Sequence, residues 1–333
     1  MKNLSLYFLV IIAFVIISCN SNSKEKTISE NRIPIATRVQ DSLIKIKANP
    51  LKGFNFDYLL YLPKGLKIDK KTHLLVETNN TGGVNDTISF HEKRAIHAAA
   101  VSSVGNYVSK KLSIPLLVPI FPRSETNWKI YTHALDRDTF LSQDKDIKKL
   151  DLQLIAMIDD AKNQLAIQKI KLHEKYFIVG FSASGTFANR FSLLHPENIK
   201  ATVSGGINAI PILPIATLKK VRLDYPLGIA DIEEVTKKPL NLKEFKTLPK
   251  LLFMGALDTN DAVKYDDGYS DSERKIVFDL MGEQLIPERW GFVENIYQEN
   301  KVNAIFKTYP NMGHGTDLKI NDEITTFIKE NSN

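Results

Sequence analysis

Several short, largely apolar runs punctuate this chain: "KKTHLLVE" (70–77), "LSIPLLVPIFP" (112–122), "YFIVGF" (176–181), "KATVSGG" (200–206), "KLLFMGALD" (250–258) and "NAIFKTYP" (303–310). Runs of this length, bounded by Gly, Pro or polar loops, predict strands covered on both faces. "GFNFDYLLYLP" (53–63) differs, because Phe54, Phe56, Tyr58 and Leu60 alternate with other positions and predict a half-buried strand. Between the runs, Ile147, Leu150, Leu154, Ile158, Ala161 and Leu165 step by three and four, the period of an amphipathic helix. The Ala- and Ser-rich segment 89–111, the stretch after "YFIVGF" and residues near 321–330 also predict helices. The second of these ends near His195-Pro196, since proline disfavours helix in the residue before it. Strands alternating with helices predict an α/β domain over 49–333: a mostly parallel central sheet with helices on both faces. The segment near 207–247 interrupts the alternation, carries several prolines and predicts a cap-like insertion above the strand ends.

The N-terminus obeys another logic. One lysine precedes an apolar run from Leu4 to Ile17, about fourteen residues, where a bilayer span needs roughly twenty. It matches the h-region of a secretory signal. The run closes on "IISC", whose Cys19 is the only cysteine of the chain, so no internal disulfide can form. This ending resembles the lipobox of bacterial lipoproteins. The resemblance implies a signal peptide over 1–18, lipidation of Cys19, and export with a lipid anchor on the periplasmic or cell-surface side of a bacterial membrane. The polar stretch that follows reads as a tether and lead-in over 19–48.

Composition adds mainly exclusions. With 43% hydrophobic and 25% charged residues, the chain is an average globular one with a sizeable core. The net charge of +6 comes from scattered lysines, and no basic block interleaves with aromatics, which argues against a nucleic-acid partner. Oligomeric state is not encoded in any pattern of this kind.

Candidate chemistry centres on "GFSASG" (180–185), a small-residue turn between a predicted strand and a predicted helix. Ligands in such sheets sit outside the carboxyl ends of the strands, where this turn falls. A serine attacks well only when a base takes its proton and a carboxylate orients the base. A turn sharp enough to expose the hydroxyl crowds the positions two before and two after it. For Ser182 these are Gly180 and Ser184; for Ser184 they would be Ser182 and the β-branched Thr186, so Ser182 is the candidate nucleophile.

Here the chain resembles the α/β-hydrolase superfamily, whose nucleophile elbow reads G-x-S-x-G. It departs from that pattern in having Ser184 at the second glycine, with Gly185 one step later. The resemblance implies the order serine, acid, histidine. Of seven histidines, only His195 and His314 follow Ser182. His195 ends the helix after the elbow and reads as a helix cap; His314, in "NMGHG", stands where family members carry the base. The acid would be Asp258, in "LLFMGALDTND", with Asp261 as the alternative. The oxyanion donors would be the N–H of Ala183 and that of Asn80 or Thr81 in "TNNTGG", where relatives often have His-Gly. Trp128 and Tyr131, in the loop 121–140, are candidates for lining a substrate pocket or covering core.

These residues together predict a serine hydrolase that cleaves a carboxylic ester, small or polymer-linked, through an acyl-enzyme. The layout looks most like secreted esterases and polyester-depolymerase-like members. An exported serine peptidase of the same fold and an inactive surface binding protein are the alternatives. No cofactor or metal is expected: His133 has no second ligand at metal spacing within its loop.

Overall fold

The computed structural model describes residues 41–68, 70–79, 82–265 and 268–333. Cys19 and most of the tether expected at 19–48 lie outside them, as do Asn80, Thr81, Asp266 and Asp267. Among the described residues no helix is long and apolar enough to cross a membrane.

Among the described residues there are ten strands: β1 (Ser42–Ile46), β2 (Tyr58–Leu62), β3 (Leu75–Glu77), β4 (Leu116–Pro119), β5 (Tyr176–Phe181), β6 (Ile199–Gly205), β7 (Thr217–Leu218), β8 (Val221–Arg222), β9 (Lys250–Gly255) and β10 (Ala304–Tyr309). Eight of them form one sheet in the order β1-β2-β4-β3-β5-β6-β9-β10. β2 pairs antiparallel with both neighbours, and every other pairing in the sheet is parallel. β7 and β8 form a separate antiparallel ribbon.

The helices are α1 (Ile88–Ile96), α2 (Val104–Leu112), α3 (Arg137–Leu141), α4 (Leu150–Ile167), α5 (Ala183–Leu194), α6 (Ile232–Thr236), α7 (Leu242–Thr247), α8 (Asp271–Met281), α9 (Trp290–Glu299) and α10 (Leu318–Glu330). Successive strand residues point to opposite faces, and the sheet buries both. Tyr176 and Ile178 of β5, with Leu252 and Met254 of β9, face a core shared with α4, α5 and α9. Phe177, Val179, Leu251 and Phe253 face a second core built with α2 and α10. Continuous apolar runs are what two-sided burial requires, which is why the strands stood out in the sequence.

Two expectations change. The alternation from Phe54 predicted a half-buried strand, but β2 starts at Tyr58 and all five of its residues are buried. A short 3-10 turn over Pro50–Lys52, ended by Gly53 at φ 95°, occupies the preceding stretch, and both sides of β2 are paired. The sheet also takes in Ser42–Ile46, within the stretch expected to be lead-in. The insertion between β6 and β9 carries β7, β8, α6 and α7 and is anchored in the larger core through Ile207, Ile212, Leu223 and Leu227.

Candidate active site

The carboxyl ends of β3, β5, β6, β9 and β10 open onto one edge of the sheet, and the sequence-predicted site residues follow these strands. β5 runs directly into Ser182, which sits at φ 61°, ψ −128° before α5 begins at Ala183. A non-glycine residue in that region stores about 1–3 kcal/mol of strain and persists only where its surroundings impose it. Two glycines make the turn possible. A Cβ on Gly180 would stand 2.2 Å from the carbonyl oxygen of Ser184, and one on Gly185 would stand 2.3 Å from that of Gly205 on β6. The close approach of helix to sheet therefore falls on Gly185, one position beyond the family's second glycine. Ser184 fits because its hydroxyl turns back to the strand end, accepting from Phe181 N–H at 3.0 Å and donating to Phe181 O at 2.9 Å. Its role exceeds smallness: it clamps the elbow.

Beyond β9, Asp258 Oδ2 accepts from His314 Nδ1 at 2.8 Å, and Asp258 Oδ1 accepts from the Asn260 N–H at 2.9 Å. The Asp258 side chain is buried, whereas that of His314 keeps 28% of its surface accessible. A carboxylate at Nδ1 holds the proton there and leaves Nε2 as the accepting nitrogen. Phe181, the residue before Ser182, packs its ring 4.8 Å from the His314 ring, joining the base to the elbow.

Asp261, the alternative acid, is engaged elsewhere. Its carboxylate receives both ends of the Arg289 guanidinium, Nη1 at 2.9 Å, and accepts from Val263 N–H at 3.2 Å. Both side chains are buried, so the pair is a structural one. A second His–Asp pair also exists: His195 Nε2 lies 2.8 Å from Asp151 Oδ2, both buried. His195 closes α5 as the sequence indicated, at the end of that helix remote from Ser182.

Ala183 is the first residue of α5, whose opening N–H groups have no partner within the helix and favour negative charge. Asn79, next to the undescribed Asn80, donates from Nδ2 to Phe121 O at 3.0 Å and accepts from Phe121 N–H at 3.1 Å. That two-way clamp ties the segment after β3 to the segment after β4. The sequence offered Asn80 as a candidate oxyanion donor and gave no reason to single out Asn79.

Glu77, two residues before Asn79, is buried at the end of β3 and accepts from the Ser103 hydroxyl and from Gly105 N–H at 2.9 Å. Burial pushes its carboxyl up to about 7, from 4.5. The folded protein thus holds a proton that the unfolded chain releases. This stabilisation is complete below about pH 4.5 and is lost as pH rises through about 7. Urea denaturation of the wild type is expected to give lower stability at about pH 8 than at about pH 5 from this group. Glu77→Gln should remove that part of the slope, and an unchanged slope would contradict the assignment.

Tyr131 and Trp128 separate. Tyr131 is buried against Ala134 and Ala183, beside the elbow, with the Arg123 guanidinium 3.5 Å above its ring. Trp128 lies 39% exposed on the surface. The loop bearing Tyr131 is pinned by buried Arg190 of α5, which donates to Ala134 O at 2.9 Å and to the Tyr269 hydroxyl at 2.7 Å. A cleft of about 550 Å³ beyond it is lined by Lys129, Arg137, Arg222, Tyr269 and Glu273 among others, and not by Ser182, Asp258 or His314. His133 is buried, with Nε2 2.8 Å from Phe121 O. No group of three or more His, Cys, Asp or Glu among the described residues could hold a metal ion.

Strand order, strand direction and the strained serine at the β5–α5 junction define the α/β-hydrolase fold, and comparison with solved structures agrees. The poly(aspartic acid) hydrolase-1 of Sphingomonas sp. KT-1 is similar with a TM-score of 0.57 and 15% identity, over 88% of this chain and 98% of that one. The poly(3-hydroxybutyrate) depolymerase LpqC of Bordetella parapertussis is similar with a TM-score of 0.53 and 14% identity, over 88% and 92% of the two chains. No family model and no curated protein sequence matches the chain.

Proposed function

We propose that this protein is a serine hydrolase that cleaves a carboxylic ester through an acyl-enzyme. The observation that carries the proposal is a serine held at φ 61° on the β5–α5 elbow, with an Asp–His pair at 2.8 Å on the loops after β9 and β10. Ser182 Oγ attacks the acyl carbon, and His314 Nε2 takes its proton and delivers it to the departing alcohol oxygen. Asp258 keeps the imidazole in the required tautomer and stabilises its charged form. Water then repeats the sequence on the acyl-enzyme. The N–H of Ala183, with that of Asn80 or Thr81, receives the oxyanion. Tyr131, against Ala183, supplies one wall for the substrate.

Elbow strain also favours an enzyme over an inactive binding protein, since a fold relieved of catalysis gains stability by relaxing Ser182. One similar fold belongs to a protein named for a polyester, poly(3-hydroxybutyrate), which favours a polymer-linked ester as substrate; the other is named for poly(aspartic acid), whose units are joined by amides. Export and anchoring through lipidated Cys19 would place such an enzyme at the membrane surface, facing material outside the cytoplasm.

A fluorophosphonate probe tests the nucleophile. Wild type is expected to label stoichiometrically and Ser182→Ala not at all; an unlabelled wild type overturns the proposal. In cells fed a labelled fatty acid, wild type should incorporate the label and Cys19→Ser should not; label absent from wild type or retained in the variant would refute the anchor.

A further inference from the structure

The proposed mechanism turns on His314 Nε2, and a neighbouring side chain already meets that atom. Asn260 Nδ2 lies 3.1 Å from it, while the backbone N–H of the same residue donates to Asp258 Oδ1 at 2.9 Å. Because Nδ1 carries its proton toward Asp258, Nε2 presents a lone pair, and only the NH₂ end of the amide can satisfy it. No hydrogen bond joins Ser182 Oγ to Nε2 among the described residues. Asp258 is the one titratable group hydrogen-bonded to the ring among those residues, and Phe181 and Gly206 lie against it. Asn260 itself is exposed, so burial does not force the contact.

From this geometry we infer that Asn260 is a positioning residue for the base: at rest its amide donates to His314 Nε2, and it yields that lone pair to the Ser182 hydroxyl when substrate enters. The inference rests on the assignment of Ser182 and His314 made above. As the Oγ–C bond forms, the hydroxyl proton moves to Nε2 and the ring becomes an imidazolium. As the ester C–O bond breaks, that proton leaves with the alcohol oxygen. An amide suits the resting stage, because its NH₂ meets the lone pair of the neutral ring and brings no charge to hold the imidazolium once it forms. Alanine could not meet that lone pair, and aspartate would favour the charged ring.

The test is the pH dependence of kcat/KM on a p-nitrophenyl ester for wild type, Asn260→Ala and Asn260→Asp, with fluorophosphonate titration counting active sites. Donation to the lone pair favours the neutral ring, so its loss in Asn260→Ala should move the acid limb upward by roughly half to one pH unit. Asn260→Asp should move it further, with turnover near neutral pH reduced roughly tenfold or more, since a carboxylate stabilises the imidazolium. Both variants should titrate to wild-type stoichiometry. Acid limbs that coincide in all three proteins, or losses uniform across pH, would overturn the inference and leave Asn260 a loop residue. Failure of the underlying assignment has a different signature: label retained in Ser182→Ala, which removes both proposals together.

Discussion

Replacing His314 with alanine is expected to lower kcat on a p-nitrophenyl ester by about 10⁴- to 10⁶-fold while leaving the fold intact. In the proposed mechanism nothing else takes the Ser182 proton at neutral pH, and the backbone donors alone would sustain only a residual rate. Stability should change little, because the ring is part-exposed and its contacts are Asp258, Asn260 and the edge of Phe181. Steady-state kinetics beside a thermal melt separate the two effects. Near-normal turnover in the variant would show that His314 is not the base.

The second large effect divides two aspartates three residues apart. Asp258→Ala should reduce kcat by about 10⁴-fold with a modest loss of stability, since it frees the tautomer of His314 and strands one backbone N–H. Asp261→Ala should do the reverse. It leaves the Arg289 guanidinium fully buried without its carboxylate, at a cost of about 3–5 kcal/mol in chemical denaturation, while turnover per folded molecule stays close to wild type. Should that variant fail to fold, the pair Asp261→Leu with Arg289→Met removes both charges and is expected to recover most of the stability. Loss of turnover in that folded double variant, with retention in Asp258→Ala, would exchange the roles assigned to the two acids.

Much of the architecture was open to inspection before any coordinates. The apolar runs at 176–181 and 250–255 are strands because both faces of the sheet are covered, and the stripe read from Ile147 to Leu165 faces the larger core from Leu150 onward, where α4 begins; Ile147 lies in the turn before it. The serine at the elbow was equally legible, since crowding around a tight turn depends on residues within two positions of it. Where periodicity misled, as at Phe54, that residue pairs only with Asn49 across the turn that ends at Gly53, and β2 begins after a bend at Phe56. β1 escaped notice because the alternation Ile44-Lys45-Ile46-Lys47 is too short to stand out, and its partner β2 supplies the order.

Other choices depended on residues far apart in the chain. Asp258 and Asp261 look alike in "LDTND"; packing parts them, the first turned to His314 56 residues on and the second to Arg289 28 residues on. His195 and His314 each have an aspartate at 2.8 Å, and only strand topology places one pair near Ser182 and the other at the far end of α5. Asn79 and Asn260 were invisible as site residues for the same reason: their partners are Phe121 and His314, brought in by other strands. Backbone sterics and apolar periodicity act over a few residues, so a chain displays them in its own order. A hydrogen bond between loops has no such local signature, and it exists only once strand order has set those loops side by side.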